Sequence, residues 1–256
     1  MLARRFVLLA AVAIAALPAR ALTADELIAK NIEARGGLDK IKAIETLRIE
    51  GTRTGGGGGG RGGGGAETPF VEIRKRPDRI RSESTTQGLT MIRAYDGTEG
   101  WTVQPFGGRK DPEKLSADAA RDLSYQAEID GPLADAASKG NKIEYLGTED
   151  VDGTEAHKLK VTRPAGDVEY VFLDPDYFLE IRRVAQRRVR GATIETETDL
   201  GAYEKVNGVY FPFSVQSGRR GATEKGQKTT VTKIEANVAV DEAIFRFPGG
   251  SPAAAK

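Results

Sequence analysis

The 256-residue sequence has no cysteine, one histidine, one tryptophan and, past its first twenty residues, no long apolar run. Without cysteine it can build no disulfide framework, no thiolate metal site and no thiol nucleophile, and it has no point of attachment for an N-terminal lipid anchor. A lone histidine is too little for a zinc centre, which wants several ligands. His157 lies in EAHKLKVT with Leu159 and Val161 on its own strand parity, and reads as a packing residue. An excess of either charge is missing too: 38 Lys and Arg stand against 37 Asp and Glu, a formal net charge of +1. That balance speaks against nucleic acid as a partner. No G-x-S-x-G is present, so a hydrolase elbow has no support.

What is present begins with MLARRFVLLAAVAIAALPARALTADE, a basic start, twelve apolar residues from Phe6 to Leu17, and then Ala19-Arg20-Ala21. This is the form of an export signal over 1–21, cleaved near Ala21. The run falls short of the about 20 residues needed to span a bilayer. Arg4-Arg5 leaves both the general and the twin-arginine export routes open. Removing the signal takes three arginines and no acids, so the remaining chain, 22–256, carries 35 basic and 37 acidic residues. It is expected to be soluble and outside the cytoplasm.

Thr23-Ala24-Asp25-Glu26 has capping-box form, and Ala24, Leu27, Ile28 and Ile32 follow at helical spacing until Arg35-Gly36-Gly37. A second short helix is predicted from Leu38 to Ile44. From TLRIEGTRT onward the apolar period becomes two, the mark of strands. PFVEIRKR, DRIRSEST, LTMIRAYDG and EGWTVQPF read as successive strands split by turn residues. An alanine-rich helical stretch is predicted over 116–129, continuing through 133–138. Seven further strands follow after Gly140, giving about a dozen in meander order. Short connections favour one extended antiparallel sheet over two domains.

Residues 55–65 hold ten glycines broken only by Arg61. No helix follows them and the Gly-Lys-Ser/Thr ending of a phosphate loop is missing. They join two strands that would pair, so they read as a hairpin tip, near-random coil in character. Asp174-Pro175-Asp176 offers paired carboxylates, yet a proline between them makes it a turn by default. Arg182, Arg183, Arg187, Arg188 and Arg190 form the densest charge run. On a strand they point to both faces, which reads as an edge or strongly twisted strand blunted by charge, with a phosphate or anionic-lipid contact as the minority alternative.

A meander this long must curl, and its concave face needs covering. The N-terminal helix and the insert at 116–138 are the available cover. Pattern alone leaves open whether the space beneath them is a hydrophobic pocket or an ordinary core.

Val71-Glu72-Ile73-Arg74-Lys75-Arg76-Pro77, then Asp78-Arg79-Ile80-Arg81, then Tyr95-Asp96-Gly97 with Trp101 and Pro105-Phe106, resemble the corresponding run of the LolA/LolB-type periplasmic lipoprotein carriers. The Phe245-Arg246-Phe247-Pro248 ending resembles theirs as well, and ARGGLDKIKAI with VNGVYFPFS is similar to the outer-membrane lipoprotein-sorting protein homologues. The resemblance implies a mainly β fold with some α: one curved antiparallel sheet, an unclosed β-barrel of about 11–12 strands, with helices over its concave face. It implies a periplasmic, non-enzymatic carrier of acylated lipoprotein or lipid, working with inner- and outer-membrane envelope partners and needing no cofactor. The arginine before the proline bonds the lid helices in such carriers, and Arg76 holds that position. Candidate lining residues on the strands are Leu47, Ile49, Val71, Ile73, Met91, Trp101, Val103, Tyr170 and Phe172, with the inward parity open. The main alternative is a non-catalytic envelope interaction module whose core is filled and which takes no ligand. An enzyme using Asp174 and Asp176 ranks third.

Overall fold

The computed structural model describes residues 22–55, 67–106, 110–189, 192–222 and 226–249. The predicted export signal, most of the glycine run and Arg190 lie outside the described residues, as does the side chain of Arg188.

The chain begins with α1 (Ala24–Ala34). Thr23 Oγ1 accepts from the Glu26 N–H at 3.2 Å and Glu26 Oε2 accepts from the Thr23 N–H at 2.8 Å, so two otherwise orphaned donors are satisfied reciprocally. The helix buries Leu27 and Asn31 on one face. Burial of the leucine contributes about 1.5–3 kcal/mol, and the buried Asn31 Nδ2 donates to the Phe178 carbonyl at 2.7 Å. Gly36 then turns the chain with φ near 121°, a region open to glycine. A Cβ there would meet the Gly208 carbonyl oxygen at 2.1 Å, so the corner also needs a residue without a side chain. The five-residue α2 (Leu38–Lys42) follows.

Among the described residues, thirteen strands make a single sheet. They are β1 (Thr46–Gly55), β2 (Thr68–Lys75), β3 (Arg79–Thr86), β4 (Leu89–Tyr95), β5 (Gly100–Val103), β6 (Glu113–Lys114), β7 (Lys142–Val151), β8 (Thr154–Thr162), β9 (Val168–Leu173), β10 (Glu180–Val189), β11 (Ala192–Val206), β12 (Val209–Arg219) and β13 (Gln227–Ala236). The order is β6-β5-β4-β3-β2-β1-β13-β12-β11-β10-β9-β8-β7, antiparallel throughout, with β6 and β7 as unjoined edges. Two meanders are thus stitched together by the β1–β13 pair, and the barrel stays open.

The helices lie on one face of this sheet. Between β6 and β7 the chain forms α3 (Ala117–Ala127), capped by Ser116, whose Oγ accepts from the Ala119 N–H. It packs Leu123 and Ala127 on Ile80 of β3, and it comes so close to β5 that a Cβ on Gly100 would touch Ala120 Cβ at 3.1 Å. At the other end, Leu27 of α1 packs with Leu133, Leu159, Val161, Val171 and Leu173. Between them Ile41, Ile44 and Ile129 pack on Leu47, Ile49, Phe70, Val209, Phe211 and Val231. The convex face is covered at β3–β5 by the C-terminal 3-10 helix Glu242–Phe245.

Three elements differ from the sequence reading. Residues 133–138 form successive turns where helix was predicted, with Asp135 at φ near 54°, a value no right-handed helix contains. The two-residue β6 is too short to leave a period in the sequence. The arginine-bearing β10 lies inside the sheet between β9 and β11, which excludes the edge position, one of the two placements expected for it. Acids on its neighbours make this possible: outward-facing Arg182 meets Asp199 at 2.6 Å and Asp152 at 2.8 Å.

Candidate functional site

Residues directly opposite in an antiparallel register share a face. Ile80 lies under α3 and is opposite Arg74, which is opposite Leu47. Leu47, Ile49, Phe70, Glu72, Arg74, Arg93 and, across the bulge at Glu50/Gly51, Val231 therefore face inward. Beneath the helices these residues border a cavity of about 570 Å3, within the about 300–1,000 Å3 of small-molecule sites.

One sector of the wall is apolar: Leu47, Ile49 and Phe70 from β1 and β2, Phe211 and Val215 from β12, and Val231 from β13. Charged residues line the rest of the same space, beside and beyond the apolar sector, seven arginines and five carboxylates in all. Glu72 takes two arginines, Arg74 at 2.7 Å and Arg53 at 3.3 Å. Arg163 donates to Glu128 and, at 3.1 Å, to Glu169. Arg183 pairs with Glu180, and Arg187 Nε lies 2.8 Å from Asp122. Arg35 and Arg93 make no ion pair among the described residues; Arg35 donates to the Asp130 carbonyl at 2.6 Å.

These environments move the titrations in ways that follow from contact. Burial pushes the Glu72 carboxyl up, but the Arg74 and Arg53 guanidinium groups outweigh it and hold Glu72 below the usual carboxylate range. Glu128 goes the other way, because its burial exceeds what Arg163 and Lys139 return. Burial works against the Arg183 charge, yet Glu180 and Glu169 keep its pKa above the usual value. Tyr125, buried beside Asp167 and bonded to it at 3.1 Å, is pushed up to about 12.

The sequence-derived candidates divide by face. Leu47 and Ile49 line the cavity. Met91, opposite Ser84 and through it Phe70, shares their face but stands outside the lining. Val71 and Ile73 alternate with the inward Phe70 and Glu72 and lie on the convex side. Trp101 and Val103 are also on that side, where Trp101 Nε1 donates to the Phe245 carbonyl at 2.7 Å and its ring meets Phe247 edge-on. Tyr170 and Phe172 lie on the opposite parity to Val171, in a convex cluster with Val184, Ala156 and Val151. Leu47 and Ile49 are thus brought together in the hollow, while the other seven are not.

Arg76 follows β2 and reaches the cover: Nε donates to the Ile44 carbonyl at 2.8 Å, Nη2 to the Ile41 carbonyl at 3.0 Å and Nη1 to Asp130 Oδ2 at 3.1 Å. Two carbonyls at the end of α2 and one carboxylate after α3 are held by one side chain.

Sequence reasoning missed the charged wall. Its arginines and acids occupy inward positions that apolar alternation assigns to the outside, and long-range pairing such as Arg187 with Asp122 leaves no local pattern. Asp174 Oδ1 accepts from the Asp176 and Tyr177 N–H groups at 2.9 and 2.8 Å, so that carboxylate caps its own turn. His157 stacks on Phe178 with ring centroids 6.0 Å apart.

No protein-family model matches the sequence, and no curated protein matches it. Solved structures do match the fold. A DUF1329 family protein from Desulfovibrio piger is 13% identical, with 87% of this chain and 96% of that one covered at a TM-score of 0.58. A LolA superfamily protein from Nitrosomonas europaea is 14% identical, covering 88% and 98% at 0.55. An outer membrane lipoprotein-sorting protein domain from Vibrio parahaemolyticus is 11% identical, covering 86% and 94% at 0.52. The chain therefore has the fold of LolA-superfamily and lipoprotein-sorting structures.

Proposed function

We propose that the protein is a periplasmic, non-enzymatic carrier that takes acyl chains of a lipoprotein, or of a related lipid, into the hollow of its half-barrel and passes them toward the outer membrane. The observation that carries this reading is the cavity of about 570 Å3 with an apolar sector between sheet and lid. A docking module with a filled core would have no use for such a volume. Each methylene moved from water to that sector contributes about 0.8 kcal/mol, and one chain held this way remains reversible. Leu47 and Ile49 form part of the lining, and Arg76 acts as the latch that holds the lid closed when the hollow is empty.

The test is native mass spectrometry of the mature protein purified from its own host's envelope, followed by organic extraction. A discrete added mass that extracts as lipid or lipopeptide is expected. A bare mass that persists after incubation with acylated peptide and with free lipid would transfer the lead to the docking module.

A further inference from the structure

The cavity's ion pairs leave an imbalance that bears on what it holds, given that it holds an acyl chain at all. Its seven arginines exceed its five carboxylates by two. The acids whose charges act on Arg93 are Asp122 and Glu72, and both are engaged elsewhere, Asp122 by Arg187 and Glu72 by Arg53 and Arg74. Of the two arginines without an ion pair, Arg35 is almost fully buried and spends a donor on a backbone carbonyl. Arg93 lines the cavity and makes no hydrogen bond or ion pair among the described residues. An arginine stays charged at any working pH and presents a planar fork of donors. Such a group in a partly dry wall is costly unless an anion meets it. Burial, and then the neighbouring Arg53 charge, pull its pKa down, the direction expected of a cation that lacks its counterion.

The register places this cation relative to the apolar sector. Ile49, Glu72, Ser82 and Arg93 stand opposite one another on four successive strands, all on the inward face. Three strand spacings separate Ile49 from Arg93, about 14 Å. In between, Arg53 lies over the Phe70 ring at 4.0 Å and is tied to Ser82 and Glu72, so it bridges the two sectors without being available itself. One end of the hollow thus takes hydrocarbon and the other offers a free guanidinium.

We infer that the hollow selects an amphiphile with an anionic head, carboxylate or phosphate, which Arg93 receives while the chain lies against Leu47, Ile49, Phe70 and Val231. The inference rests on the carrier reading and narrows it from any acyl chain to a charged-headed one.

The test compares three probes of equal chain length on the mature protein freed of lipid: dodecanoate, dodecyl phosphate and dodecanol, titrated calorimetrically below their aggregation limits. Both anions are expected to bind at least tenfold more tightly than the alcohol, with affinity falling as salt rises. Whichever anion binds more tightly identifies the head. Arg93→Gln should weaken the anions about tenfold and leave dodecanol unchanged, which a general loss of fold would not do. Equal binding of all three by the unmodified protein overturns the anionic-head inference and leaves the carrier reading standing. Binding of none overturns both.

Discussion

Arg76 and Asp130 meet 3.1 Å apart, one at the end of a strand and the other in the segment that follows the lid helix. Asp130 is also held by Lys139 at 2.8 Å, and its carbonyl accepts from Arg35. Burial pushes this carboxyl up, but the Lys139 and Arg76 contacts outweigh it and hold its pKa below the usual aspartate value. The pair therefore joins sheet to cover through opposite charges. On the carrier reading proposed above, opening the lid would break it, and a ligand that needs the lid open would bear that cost.

Arg76→Leu removes the cost. A charge-assisted bond contributes about 1.5–3 kcal/mol, so a lipid probe should load at least as tightly and leave about tenfold more slowly. Stopped-flow displacement of a fluorescent fatty acid measures this. Unchanged release would remove Arg76 from the latch role.

Trp101→Phe tests the assignment of faces. The indole is buried against the C-terminal segment, and its loss leaves the Phe245 carbonyl without a donor. The expected cost is about 1–3 kcal/mol, a fall in Tm of roughly 2–10 °C at this chain length. Lipid affinity should stay within about twofold, because the ring lies outside the hollow. A large loss of affinity in a folded variant would place Trp101 in the binding path.

Gly36→Ala should destabilise by about 2–4 kcal/mol. The new Cβ would meet the Gly208 carbonyl oxygen at 2.1 Å, and the backbone is already in a glycine region. Urea unfolding of both proteins gives the difference, and a change below about 0.5 kcal/mol would show that the corner yields freely.

His157 supplies a pH step of known sign. Burial lowers its pKa, so the unfolded chain binds the proton first as pH falls below about 6.5. Stability should then decline from that pH down to the lower folded-state value and level off there. The Tyr145 hydroxyl 2.9 Å from Nδ1 and Lys30 over the Phe178 ring are the other titratable groups at this site. His157→Gln should lack the step when urea midpoints at pH 7.5 and pH 5.5 are compared.

Much of this fold was readable from local chemistry. The capping box at Thr23 and Glu26 set the first helix, and period-two alternation gave strand after strand. The inward face was less readable, and β2 shows why. Its convex residues Val71 and Ile73 are apolar, while its inward set is Phe70, Glu72 and Arg74. The usual rule of apolar inside assumes a filled core, and here the inside is a hollow with charged walls. Trp101 and Phe172 misdirect for a related reason: convex surfaces that are covered, by the C-terminal segment for Trp101, are apolar too. The helix expected over 133–138 yields to turns because Lys139 folds back on Asp130 and the Gly131 carbonyl, bonds that reward a compact knot over a rod.

The mutual pairing of charges along the wall also bears on the interval between loads. A hollow lined only with hydrocarbon tends to collapse or to recruit whatever grease is at hand once its occupant departs. Here the carboxylates already have arginine partners and the space is polar enough to admit water. For the carrier proposed above, this means that the emptied hollow would be held open by its own ion pairs, and the unladen protein would need no escort.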